Sequence, residues 1–199
     1  MDLTTLLNSP IGKGLIQNVS SQLGLNQNEA TSAVSVAVPA ILAGLTKNAQ
    51  SAQGAESLNK ALESKHDGSL LDNLTGMLQS QSGAIQQDGN GILEHVFGKN
   101  LTAVQKGVAQ QSGLSLSKVG PLLSMLAPIV MAFVGKQKQQ TKTSAGGLGD
   151  LLGGLLGASP AKKSSAGGLL DVVGGLLGGG SSKKKSGGLI DDILGGLLK

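Results

Sequence analysis

Apolar positions along this chain recur with a helical period, and two stretches are apolar on nearly every side. Residues 30–46 (ATSAVSVAVPAILAGLT) and 119–135 (VGPLLSMLAPIVMAFVG) are uncharged and 17 residues long. Both contain Pro and small or polar residues and fall short of the roughly 20 predominantly apolar residues of a membrane span. They are therefore predicted to be core helices, since a helix apolar all round must sit inside a packed bundle. Displacing the chain by 89 positions aligns residues 19–50 with residues 108–139 without a gap. Gly24 and Gly113, Leu25 and Leu114, Ser35 and Ser124, Pro39 and Pro128 coincide. Each copy reads as a short amphipathic helix, a Gly-Leu turn, a cap (Asn26 with Glu29, or Ser115 or Ser117), then a long helix kinked or broken at its Pro. The fold predicted is an all-α, compact multihelical bundle with an internal pseudo-duplication over about residues 1–50 and 90–139.

A different pattern governs the C-terminal part. Three segments, AGGLGDLLGGLLG from Ala145, AGGLLDVVGGLLG from Ala166 and SGGLIDDILGGLLK from Ser186, repeat one apolar stripe, the last with one extra residue. Leu148, Leu151, Leu152, Leu155 and Leu156 recur as Leu169, Val172, Val173, Leu176 and Leu177, then as Ile190, Ile193, Leu194, Leu197 and Leu198. The spacing i, i+3, i+4, i+7, i+8 is that of an amphipathic helix. Paired glycines fill much of the other face, and each costs about 1 kcal/mol against Ala. Such short helices are expected to form only when the stripe is covered. A helix of about 12 residues reaches about 18 Å, too short to cross a bilayer.

Charge separates the two parts. Residues 1–135 hold seven Lys against eight acidic residues, whereas residues 136–199 hold nine Lys against four Asp, and 17 of the 32 Gly lie beyond residue 143. The expected division is a helical domain over 1–135 and a flexible, Lys-bearing tail over 136–199. The polar run KQKQQTKTS at 136–144 is its linker. The chain has two Phe, two His, no Trp, Tyr or Cys, and every basic residue is Lys. Thiolate metal sites, disulfides and aromatic stacking platforms are thereby excluded, as is the bidentate Arg contact to guanine. The N-terminal sequence has neither a basic segment before an apolar run nor a small-residue cleavage site, and a cytoplasmic location is the expectation.

The series GLNQNEATSAVSVAVPAILAGL, KHDGSLLDNL, DGNGILEHVFG and QQSGLSLSKVGPLLSMLAPIVM, in this order, resembles the bacterial YidB-like family, a domain of unknown function. The resemblance covers about residues 1–135. It implies a multihelical bacterial cytoplasmic protein, in some members fused to envelope-associated domains, and supplies no catalytic residue.

Candidate chemistry is sparse. His66-Asp67 and Glu94-His95 place an imidazole next to a carboxylate, the minimum for acid–base work, but adjacent residues point in different directions. A zinc site from His66, His95 and a nearby Asp requires the fold to bring them together. In the segments HDGSLL (66–71) and DGNGIL (88–93), Asp or Asn beside Gly reads as a turn entering a helix. The second fails as a calcium loop, because its twelfth position would be Phe97. Residues 108–123 have the turn pattern of a helix-turn-helix, yet the second helix offers Gly120, Pro121, one Lys and no Arg to a groove. No catalytic, metal or cofactor residue is therefore assigned, and a nucleic-acid partner is not expected. The expected function is non-enzymatic: an interaction or assembly protein whose multivalent tail docks on a protein partner or on itself. The alternative is a peripheral protein of an anionic membrane surface, which the Lys clusters favour and the Asp in each repeat opposes. DNA binding through the hairpin is the minor alternative.

Overall fold

Helical segments make up nearly all of residues 8–157, the part described in the computed structural model, and no strand occurs among them. The first, α1 (Pro10–Leu23), opens on Ser9, whose hydroxyl accepts from the Gly12 amide at 3.2 Å. It ends where Gly24 turns left-handed at φ 57° and donates to the Ser20 carbonyl. Two residues later α2 (Gln27–Ala49) begins with a complete capping box. The Asn26 side chain accepts from the Glu29 amide and the Glu29 carboxylate accepts from the Asn26 amide, both at 2.9 Å.

The second copy repeats the glycine turn and the start of the long helix in register. Helix α7 (Leu101–Ser112) ends at Gly113, left-handed at φ 74°, whose amide donates to Ala109, the equivalent of Ser20. Helix α8 (Leu116–Thr141) then starts 89 positions after α2. Its cap differs. The Ser115 side chain accepts from no backbone amide of the helix, and its hydroxyl instead shares a 3.0 Å hydrogen bond with that of Ser117. Neither long helix is broken at proline, because α2 continues through Pro39 and α8 through Pro121 and Pro128. A proline removes one amide from the helical ladder, a local cost that the surrounding core outweighs here.

Between the copies run α3 (Ala52–Ser64), the short α4 (Ser69–Asp72), α5 (Leu74–Ser80) and α6 (Ser82–Phe97). Helix α8 is the spine of the core. Val119, Leu122, Leu123, Leu126, Ala127 and Val134 are all fully buried, and α8 packs along α6 and α2. Helix α2 in turn is covered by α1, α3, α7 and a last short helix, α9 (Leu148–Leu155). Both long apolar helices are long and apolar enough to cross a membrane, but 61% of the α2 window and 83% of the α8 window are buried inside the protein. They are core helices by packing.

Two expectations from the sequence are corrected. The linker expected at 136–144 is helical as far as Thr141, where α8 ends. Lys138 donates to Glu63 on α3 at 2.6 Å and Lys136 to Asp72 at 2.9 Å, so the polar run is tied to the domain by its charges. The turn expected at Asp88-Gly89-Asn90-Gly91 lies in the middle of α6. Gly89 serves a helix crossing instead: a Cβ there would stand 1.7 Å from the Ser124 carbonyl oxygen of α8. Asn90 accepts from the Ser124 hydroxyl at the same crossing. The other segment is a turn as expected, with Gly68 at φ 104° and the Asp67 carboxylate accepting from the Ser69 amide at 3.0 Å.

Candidate functional site

The first Gly/Leu repeat is seated on the domain. After α8, a single 3-10 turn at Ala145–Gly147 leads into α9, and the stripe faces inward: Leu148 and Leu152 are fully buried, Leu155 is 5% exposed, and Leu151 and Leu156 are half-buried. Asp150 is exposed in the first turn, where a carboxylate suits the positive end of the helix. The seat is built by α2, α3 and the end of α8. The stripe residues of the second and third repeats, Leu169, Val172, Val173, Leu176, Leu177, Ile190, Ile193, Leu194, Leu197 and Leu198, lie outside the described residues.

Glycine in this repeat has two separable roles. A Cβ on Gly147 would come within 2.9 Å of Thr143, so the 3-10 entry is crowded there. At Gly146 and Gly154 a Cβ would meet nothing within 4 Å. Those two positions hold glycine without a packing reason, and at Gly154, inside α9, the physical effect is to weaken the helix whenever its stripe is uncovered.

A second feature could not be read from adjacency in the sequence. Helices α3 and α6 flank a cleft of about 800 Å³ that both histidines line. Its floor comes from Leu45 of α2, Leu58 of α3 and Met131 of α8, all buried. The facing walls carry small residues, Gly54, Ser57, Ala61 and Ser64 on α3 and Ala84 and Gly91 on α6, beside the larger Gln87, Ile92 and Val96 of α6. Asp88, Gly91 and His95 follow one another at helical spacing and so share a face of α6, the signal by which sequence alone could have grouped them. Lys60 and Lys65 line the α3 side.

His66 is 5% exposed, and its Nε2 lies 3.6 Å from the Asp88 carboxylate. Burial pushes the imidazole below its ordinary pKa, and the nearby Asp88 charge opposes this without reversing it. The ring is thus neutral near pH 7, with Nδ1 buried and without a hydrogen-bond partner. Asp67, by contrast, is exposed and held below the usual carboxylate range by hydrogen bonds from Ser69. The adjacent pair His66–Asp67 is therefore not the pairing that forms: His66 meets Asp88, 22 positions away, while Asp67 accepts from the Ser69 amide in the turn before α4. Among the described residues no group of three His, Asp or Glu side chains converges in a way that could hold a metal ion.

The helix-turn-helix pattern at residues 108–123 is the α7–α8 corner, whose second helix becomes buried from Val119 onward. Comparison with known proteins places the whole unit. Residues 5–137 match the family described as bacterial protein of unknown function, DUF937. The chain belongs to this family. The matched span ends within α8, so α9 and the two repeats after it lie outside the matched residues. No curated protein and no solved structure matches the chain.

Proposed function

We propose that this protein is a non-enzymatic interaction and assembly protein in which the DUF937 domain is the receptor and the Gly/Leu repeats are docking helices. The observation that supports this is the seat of α9: one repeat of three lies with Leu148, Leu152 and Leu155 buried on the domain. The other two carry Leu169, Val173 and Leu176, or Ile190, Leu194 and Leu197, at the same three positions. At position 149 a Cβ would have its nearest neighbour at 3.9 Å, the Ala49 carbonyl oxygen. The seat therefore accommodates the start of the side chains that replace Gly149 in the later repeats, Leu170 and Asp191. Weak, repeated docking helices on one chain raise each other's effective concentration and yield strong association from individually modest contacts.

The test is a labelled peptide of residues 166–178 titrated against the chain carrying Leu148→Asp and Leu152→Asp, which frees the seat. Binding, with helix gained by the peptide, supports the reading, and light scattering of the unaltered chain then shows whether the partner is another copy. No binding, combined with salt-sensitive association of the chain with anionic vesicles, would favour the peripheral-membrane alternative.

A further inference from the structure

We propose that the cleft between α3 and α6 is a binding site for a carboxylate-headed alkyl chain, that is, a free fatty acid. Its volume of about 800 Å³ lies in the range of small-molecule sites, which pair an apolar interior with a few placed polar groups. Leu45, Leu58 and Met131 form the buried base of the cleft, and the half-buried Ile92 and Val96 offer the apolar surface that the chain would cover.

The charges select the head group. Lys136 and Lys138 nearby are each paired with a carboxylate, to Asp72 and Glu63. Lys60 and Lys65, which line the cleft, make no ion pair among the described residues. The single acidic lining residue, Asp88, faces His66. The neutral His66 does not offset the Asp88 charge, but the exposed ammonium groups of Lys60 and Lys65 outnumber that one carboxylate on the lining, so the cleft favours an entering carboxylate over an entering cation.

Gly91 supplies an independent argument. It sits in the interior of α6, where glycine weakens the helix relative to alanine, and a Cβ there would meet nothing within 4 Å. Packing does not require it, in contrast to Gly89. Gly91 is exposed on the lining of the cleft, and a long side chain there would stand over the opening.

The experiment is calorimetric titration of the full chain with dodecanoate below its micellar concentration, with dodecanol and dodecyltrimethylammonium as probes of the head group. The expected result is one site, at least tenfold tighter for dodecanoate than for either control. Lys60→Glu with Lys65→Glu should weaken binding at least tenfold, and Lys60→Arg with Lys65→Arg should retain it. Gly91→Leu should abolish binding without lowering the melting temperature. Equal affinity for the three probes, or unchanged dodecanoate binding in Gly91→Leu, would overturn the proposal. So would binding to anionic phospholipid vesicles with none to monomeric dodecanoate. The α9 seat is untouched by these substitutions, so either outcome leaves the repeat-docking reading to its own test.

Discussion

Gly89 and Gly91 stand two positions apart on α6, and their surroundings are opposite. A Cβ at Gly89 would collide with the Ser124 carbonyl of α8, whereas one at Gly91 would enter open space beside α3. One side of α6 is thus fused to the core spine through a glycine contact and the Asn90–Ser124 hydrogen bond, and the other side stands clear of its neighbour. The same residue type serves close packing in one case and vacancy in the other. The comparison teaches that a glycine's role is set by what its missing side chain would have touched, which composition does not report.

The largest test of this contrast is Gly89→Ala. A methyl group placed 1.7 Å from a backbone carbonyl cannot be absorbed by a rotamer change, so α6 and α8 must move apart. We expect a loss of about 3 kcal/mol or more, read as a lowered urea midpoint or failure to fold. Gly135→Ala should act in the same way, because its Cβ would lie 1.9 Å from the His66 carbonyl oxygen. Wild-type stability in both variants would mean that the close crossings are not rigid.

Next in size is Leu152→Ala in α9. Removing a fully buried Leu side chain typically costs about 2–5 kcal/mol. The loss should be confined to α9, because an eight-residue helix with three glycines detaches before the domain melts. Hydrogen exchange should show α9 amides unprotected and α8 amides unchanged. A global drop in protection would show that α9 is an integral core element, and it would remove the distinction between receptor and docking helix.

A smaller effect follows from His66. Its folded-state pKa is lowered, so the unfolded chain binds the proton more readily. The contribution of the neutral buried ring is complete above the ordinary value of 6.5 and is lost as pH falls from there through the lowered folded value. Urea midpoints should therefore decline on acidification over that window, and His66→Gln should flatten the decline. An equal decline in the variant would assign it to carboxylates instead.

Local chemistry made much of the fold legible. Asn26 with Glu29 announces a helix start, Gly24 and Gly113 announce left-handed ends, and the register of 89 between copies holds for the end of the first helix and the start of the second. The errors share one cause, which is tertiary partners at long sequence separation. The DGNG motif has the composition of a turn, but its Gly89 answers to Ser124 and its Asp88 to His66. The KQKQQTK run has the composition of a linker, but Lys138 answers to Glu63. Of the site, the leucine stripe was visible because it is periodic along one segment. The cleft was not, because it is assembled from α2, α3, α6 and α8.

The smallest effect separates the two glycines most cleanly. Gly91→Ala adds one methyl group where the nearest atom is beyond 4 Å, and replaces the weaker of two helix formers by the stronger. The folded state loses no contact, and the unfolded chain loses conformational freedom, so stability should rise by about 0.5–1 kcal/mol. The urea midpoint should move up with an unchanged slope. A fall instead would mean that α3 closes onto α6 in solution and that the open wall is not a standing feature. A rise would show that no close contact requires glycine at position 91, the opposite of Gly89.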